Sequence, residues 1–333
     1  MNFSKTEDCM NANIPRVIFK SIGAYLPRNK VTNEELSKKV DTSDDWIRGR
    51  TGISKRALAE LDETATFMGA QAASQALKRA GLSPEDIDGI IVATSTPDQV
   101  FPALAVRIQA ELGIKSAFGF DISAACSGFV YAVSVADAML KQRLGQRFLV
   151  LGVEVFSRLL DWTDRTTCVL FGDGAGAVVL ESVMSSEQDG ILSTKISSDG
   201  TLSDILFVDG ALGVPGTTGK LKMQGREVFR RAVGLLASSV KETLAANNME
   251  MKDIDWLVPH QANQRIIEAL AKNLDFPLEK VISTISEHAN TSAASIPLAL
   301  AHGFSDGRIK KGDLILMEAL GGGLTWGAVL LRV

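Results

Sequence analysis

The chain has 333 residues, 46 % of them apolar and 22 % charged, the balance of a folded globular protein long enough for about two domains, which excludes a disordered or low-complexity polymer. With 35 Lys plus Arg against 39 Asp plus Glu the net charge is −4, which excludes a whole-molecule nucleic-acid binder and leaves room only for a local basic patch. The three cysteines, Cys9, Cys126 and Cys168, are odd in number and far apart, so neither a disulfide framework nor a Cys-based zinc site is expected.

The segment MNFSKTEDCMNANIP carries Glu7 and Asp8 and lacks the apolar centre of a signal peptide. Thr64–Ala80 then reads as a helix, Ala-rich with Phe67, Met68, Ala72 and Leu77 on one face and Gly81 as its stop. Ile87–Thr94 reads as a short buried strand, rich in β-branched residues. Phe101–Leu112 reads as a helix with Pro102 in its first turn, and Ala117–Ile122 as a strand. Ser127–Leu144 is apolar nearly all round, which predicts a buried helix. A strand at Phe148–Val153, a Gly-rich turn at Gly172–Gly176 and a strand at Ala177–Glu181 follow. Ser182–Gly190 is polar and loop-like. Ile196–Gly225, with five glycines between Asp199 and Gly219 and Pro215 among them, predicts a long surface loop.

The second half repeats the order of the first. Ile254–Val258 reads as a strand, Ala262–Leu274 as a helix and Val281–Ser286 as a strand, followed by an apolar helix from near Thr291. A strand at Leu314–Glu318, a Gly-rich turn at Gly321–Gly323 and a strand at Gly327–Leu331 close the chain. Ile254 lies 167 residues after Ile87, Asn290 lies 164 after Cys126, and Gly327 lies 151 after Gly176. Four elements matched in the same order predict a duplication, with one half over residues 1–185 and the other over 186–333. The longest uncharged stretch, His288–Ser305, holds Asn290, Thr291, three serines, Pro297 and two histidines and is too polar to span a bilayer, so a cytoplasmic protein is expected.

Cys126 stands between a buried strand and the start of a buried helix. Unpaired N–H groups and the helix dipole favour a thiolate there, and the small neighbours Ala124, Ala125, Ser127 and Gly128 leave room for a substrate. A free cysteine is most often a small buried hydrophobe, and Cys168, in an apolar run before Phe171, fits that description; Cys9, in a polar terminus, is incidental. His260 closes the strand Trp256-Leu-Val-Pro-His, just before a helix, and strand ends of α/β folds are where active sites collect. The bland alternative is a hydrogen-bonded structural histidine. Asn290 opens a helix and alone reads as an N-cap. The duplication gives it the second-half position that Cys126 holds in the first, so helix starts meeting about a pseudo-dyad bring the two together. A Cys, a His and an Asn converging suit acyl transfer through a thioester. The Gly321–Gly323 turn can offer an amide to an oxyanion because no Cβ blocks close approach. Gly172-Asp-Gly-Ala-Gly precedes a strand and so is not a dinucleotide fingerprint, and no cluster has metal-ligand spacing.

Asp44-Asp-Trp-Ile-Arg-Gly-Arg-Thr-Gly-Ile, Ala124-Ala-Cys-Ser-Gly-Phe, Phe171-Gly-Asp-Gly-Ala-Gly-Ala, Val258-Pro-His-Gln-Ala-Asn, Asn290-Thr-Ser-Ala-Ala-Ser-Ile-Pro and Gly321-Gly-Gly-Leu-Thr-Trp-Gly resemble β-ketoacyl-acyl carrier protein synthase III from about Val17 onward. The resemblance implies a thiolase-like α/β fold in five layers, α-β-α-β-α, as a homodimer. It implies that Cys126 is acylated by an acyl-CoA, typically acetyl-CoA, and that malonyl-acyl carrier protein then loses CO₂ and attacks the acyl-cysteine. His260 and Asn290 stabilise the enolate, and the amides of Cys126 and Gly322 hold the oxyanion. No cofactor or metal is implied. Trp46 and Arg165 match residues that sandwich the CoA adenine; Arg50, Gly225, Phe229, Arg230 and Asn263 match the rest of the CoA tunnel, with Arg230 where Lys is common. Arg265 and Lys272 match a patch that docks the carrier protein, though Lys272 is as readily an ordinary solvated side chain. The acyl pocket maps to Phe101, which reaches across the dimer, and to Phe156, Phe171, Leu206 and Leu320. Phe156 and Leu320 stand where Leu and Phe are frequent, so primer length and branching stay open.

Other readings are a thiolase-fold condensing enzyme of secondary metabolism, a Cys–His–Asn thioester hydrolase, or an inactive acyl-binding protein. A biosynthetic thiolase is disfavoured because the C-terminal Gly-rich turn carries no second cysteine.

Overall fold

The computed structural model describes residues 14–185, 189–210 and 219–333; Cys9 and part of the expected 196–225 loop lie outside the described residues. The first segment forms β1 (Ile14–Tyr25), β2 (Asn29–Thr32), α1 (Asn33–Ser37), α2 (Asp44–Thr51), β3 (Lys55–Leu58) and α3 (Ala65–Ala80). It continues with β4 (Gly89–Ala93), α4 (Leu104–Glu111), β5 (Phe118–Ile122), α5 (Gly128–Lys141), β6 (Arg147–Glu154) and β7 (Gly174–Ser185). The remainder forms β8 (Gly190–Ser198), β9 (Leu206–Val208), β10 (Leu221–Met223), α6 (Gly225–Ala245), β11 (Trp256–Pro259) and α7 (Gln264–Asn273). Last come α8 (Ile285–His288), α9 (Ser295–Ser305), β12 (Leu314–Gly321) and β13 (Thr325–Arg332).

Two mixed sheets carry the fold, one ordered β1-β7-β6-β4-β5 and the other β11-β12-β13-β8. In the first, β4 runs parallel to β6, and β7 is antiparallel to both β6 and β1. In the second, β11 runs parallel to β12, and β13 is antiparallel to both β12 and β8. The central strands β4, β6 and β12 are buried on both faces, and period-two alternation assigns their side chains to layers. On β6, Phe148 and Val150 face inward onto α5 and α9, while Leu149, Leu151 and Val153 face α3 and α4. On β12, Ile315, Met317 and Ala319 share that inner layer, while Leu314, Leu316 and Leu320 face α6 and α7. The layers are therefore α3/α4, first sheet, α5/α9, second sheet and α6/α7, a five-layered α-β-α-β-α thiolase-like fold.

Local signals behave as the chemistry requires. Thr64 caps α3 by accepting the Phe67 N–H, and Gly81 ends the helix at φ 68°. Five expectations are corrected. The helix expected from Phe101 starts at Leu104, because the Asp121 carboxylate accepts the Leu104 and Ala105 N–H groups and pins the first turn there. The strand expected over Val281–Ser286 is reduced to one bridge between Val281 and Leu257. The Gln261 side chain takes the backbone groups of Ile282 and Thr284 that a ladder would need, and α8 begins at Ile285. The Gly172–Gly176 turn is largely strand, since β7 begins at Gly174, and the same strand runs on to Ser185 through residues read as loop by pairing with β1 back to Ile14. Within 196–225, β8 extends to Ser198, a 3₁₀ turn spans Gly200–Ile205, and β9 pairs with β10.

Candidate active site

A cavity of about 1260 Å³ opens between the second sheet, α6 and α7, and reaches Cys126, His260, Asn290 and Gly322. Cys126 sits in the 3₁₀ turn Ala125–Ser127 that leads into α5, and Asn290 lies just before the equivalent turn Ser292–Ala294 that leads into α9. The residue before each is held in the left-handed region, Ala125 at φ 46° and Ala289 at φ 57°. Strain of this kind persists only where packing over-determines the backbone. Here the packing is explicit: a Cβ on Gly152 would stand 2.2 Å from the Ala293 carbonyl oxygen, so only glycine lets β6 run this close to the second helix start.

The Gly-rich hairpin between β12 and β13 is fixed against the Cys126 turn. The Ser127 hydroxyl donates to Thr325 Oγ1 at 2.8 Å, and the Thr325 hydroxyl lies 3.1 Å from the Ala124 and Gly322 carbonyls. A Cβ on Gly321 would meet the Cys126 amide nitrogen at 2.8 Å, which shows how closely the hairpin approaches the amide expected to hold an oxyanion.

His260 follows β11 directly, and its N–H donates to the Glu318 carbonyl at 2.8 Å. Its Nδ1 lies 2.6 Å from Ser295 Oγ, which also accepts the Gln261 N–H at 3.3 Å. A neutral ring that accepts the Ser295 proton at Nδ1 carries its own proton on Nε2, the nitrogen left for the cavity. Burial pushes His260 down to about 3, so the ring is neutral and acts as a hydrogen-bond donor. Asn290 Oδ1 accepts the Ser292 N–H at 2.8 Å, so its Nδ2 donors are left for the cavity.

The thiol departs from expectation. Burial, with Glu154 adding repulsion, pushes Cys126 up to about 12 despite the helix start and the Ser292 hydroxyl, so it is a neutral thiol rather than a standing thiolate. Cys168 is core, fully buried and also pushed up, to about 11. Two carboxyls went unread in the sequence. Glu154 is buried and raised to about 7; Glu318 lines the cavity, is raised to about 8 by burial alone, and has an Oε2 with no hydrogen-bond partner. Each stands out as a lone acid in an apolar strand run, a signal that was available. Ser292 and Ser295 carried none.

Trp46, Arg50, Gly225, Phe229 and Asn263 line the cavity mouth, as does Arg265, whose guanidinium lies 5.9 Å from the Phe229 ring centre. The Trp46 ring has Arg50 at 4.4 Å and Arg165 at 5.3 Å. A flat base between Trp46 and Arg165 needs about 7 Å, two ring contacts of about 3.5 Å, so Arg165 must leave its bond to the Asp41 carbonyl to admit one. Arg230 is not among the lining residues: it turns onto Glu227 at 2.5 Å, which accepts it in an i,i+3 pair, and Arg226 lines the cavity instead. Lys272 is exposed near the end of α7. Phe156, Phe171, Leu206 and Leu320 line the apolar end, with Phe156 stacked on Phe171 at 4.3 Å and 12°. Phe101 does not line its own chain's cavity and is 82 % exposed. Among the described residues no group of His, Cys, Asp and Glu could hold a metal ion, and no helix is long and apolar enough to cross a membrane.

Two stacked sheets between helix layers, with paired helix starts at one cavity, define a condensing enzyme of the thiolase type. Residues 120–200 match the family model described as 3-oxoacyl-[acyl-carrier-protein (ACP)] synthase III, and residues 244–333 match its C-terminal model. A β-ketoacyl-[acyl-carrier-protein] synthase III from Granulibacter bethesdensis is 60 % identical over 96 % of this chain and 99 % of its own length. One from Acidiphilium cryptum is 58 % identical over 95 % and 99 %. The crystal structure of 3-oxoacyl-[acyl-carrier-protein] synthase III from Aquifex aeolicus superposes with a TM-score of 0.90 at 48 % identity, over 96 % of this chain and all of that one. The chain belongs to the β-ketoacyl-[acyl-carrier-protein] synthase III family and is an acyltransferase of fatty acid biosynthesis.

Proposed function

We propose that this enzyme starts fatty acid chains by joining a short acyl group from acyl-CoA to malonyl-acyl carrier protein, with Cys126 as the acyl carrier. The carrying observation is that Cys126, His260, Asn290 and Gly322 open onto one cavity that is apolar at one end and cationic at its mouth. CoA enters past Trp46, Arg50 and Phe229, with Arg165 swinging to cover the base. The thioester carbon reaches Cys126, and the amides of Cys126 and Gly322 receive the tetrahedral oxyanion. Malonyl-acyl carrier protein then docks at the Arg265 side of the mouth. Neutral His260 through Nε2–H and Asn290 through Nδ2 donate to its thioester oxygen as CO₂ leaves. The carbanion attacks the acyl-cysteine and gives a 3-ketoacyl product. Loss of CO₂ drives the step, so the reading requires no cofactor and no metal.

The Phe156–Phe171 stack and Leu320 at the apolar end support a short primer, acetyl before longer or branched groups. The exposed Phe101 supports a homodimer in which this ring reaches the partner subunit. The matching strand orders of the two sheets, drawn from residues 14–185 and 190–332, support a duplicated pair of halves. A cytoplasmic location fits soluble thioester substrates. Incubation with radiolabelled acetyl-CoA, followed by malonyl-acyl carrier protein, tests the reading. Label is expected on Cys126 and then in a four-carbon ketoacyl product; absence of label on wild type with every short acyl-CoA overturns it.

A further inference from the structure

Acylation of a neutral thiol must place its proton somewhere. His260 is a poor acceptor: it is buried, its Nδ1 is held on Ser295, and burial disfavours its protonated, charged form. A second route leads away from the cavity. Ser292, fully buried, sets its hydroxyl against the Cys126 thiol and donates to Glu154 Oε1 at 3.2 Å. Glu154 is itself fully buried on β6 and is cradled by donors: the Ser95 N–H at 3.1 Å and the Thr96 hydroxyl at 2.5 Å. No cation pairs with it among the described residues. The other titratable groups of this buried set, His260 and Glu318, lie on the cavity side.

We propose that Ser292 links Cys126 to Glu154, and that Glu154 stores the Cys126 proton for as long as the enzyme is acylated. The proposal rests on Cys126 being the nucleophile. As the thiol attacks, its proton passes to Ser292 Oγ and the Ser292 hydroxyl proton passes to Glu154 Oε1. The sulfur pair forms the bond to the acyl carbon, and CoA leaves as a thiolate with the pair from the broken C–S bond. In the condensation the malonyl carboxylate departs as CO₂, and its electron pair forms the new carbon–carbon bond. The acyl–sulfur bond breaks and leaves a Cys126 thiolate. Glu154 then returns its proton through Ser292 to restore the thiol. Charge is conserved in each half, and two negative charges are never buried side by side. Ser292 touches the reacting sulfur; Glu154 is a positioning residue that acts through it.

Difference infrared spectroscopy on the wild-type enzyme, with carboxyl bands assigned by H₂O/D₂O shift and by loss in Glu154→Gln, tests the idea directly. Mixing with acetyl-CoA is expected to produce one protonated-carboxyl band, and adding malonyl-acyl carrier protein is expected to remove it. Acylation without that band overturns the relay and leaves the nucleophile standing; no acylation overturns the nucleophile itself. Alkylation of Cys126 by iodoacetamide across pH 6–10 provides a second readout. If Glu154 only repels the thiolate, Glu154→Gln speeds alkylation. If it takes the proton, Glu154→Gln and Ser292→Ala each slow alkylation at pH 7 by about tenfold or more, the double variant is no slower, and the loss narrows toward pH 10 as the thiol ionises without the relay. Faster alkylation in Glu154→Gln refutes the proposal.

Discussion

Glu318→Gln removes a titration that works against the fold. The carboxyl lines the cavity, has an Oε2 without a partner and is raised by burial from 4.5 to about 8. Below pH 4.5 folded and unfolded chains both hold the proton and nothing is lost. Between 4.5 and about 8 the unfolded chain releases it while the folded one keeps it, so wild-type stability falls as pH rises. At 1.36 kcal/mol per pH unit the full window is worth about 5 kcal/mol; relaxation and water entry at a cavity wall bring this to about 2–3 kcal/mol. For 333 residues the unfolding entropy is about 0.7 kcal/mol/K, so the shift is about 3–4 °C. Glutamine does not titrate, and Glu154 and His260 are common to both proteins and cancel. Calorimetry at pH 5 and pH 8 should find that the Tm of Glu318→Gln minus that of wild type grows by this amount. A difference that is the same at both pH values, or that shrinks at pH 8, refutes the assignment of Glu318 as an unpaired buried acid.

Ser295→Ala frees the His260 tautomer and ring orientation; condensation is expected to slow by about a hundredfold while acetyl label still reaches Cys126, as steady-state and single-turnover assays would show. Trp46→Ala removes the ring held by Arg50 and Arg165; KM for acetyl-CoA should rise about tenfold, the equivalent of 1.4 kcal/mol, with kcat little changed. Gly152→Ala drives a methyl into the Ala293 carbonyl; denaturant unfolding should show a loss of about 3 kcal/mol, and an unchanged midpoint would contradict the close approach.

Composition, apolar period and turn residues were enough to read the alternating α/β order and the buried helix after Cys126, because those depend on burial patterns local to each element. The motif residues that carry the family resemblance were legible for the same reason, being contiguous. Contacts distant in sequence were not. The Val281–Ser286 segment has strand composition, yet Gln261 takes its backbone groups. The helix dipole argued for a Cys126 thiolate, yet burial beside Glu154 outweighs it, since desolvation acts on the whole charge and the dipole only on part of it. Arg230 carried a charge suited to the cavity mouth but pairs with Glu227 one helical turn away. Ser292 and Ser295 look like ordinary helix-start residues until α9 is packed against Cys126 and His260. The sequence by itself marked Cys126, His260 and Asn290 as candidates for the chemistry. Only the tertiary structure decided their protonation and partners, because those depend on which groups are brought together away from water.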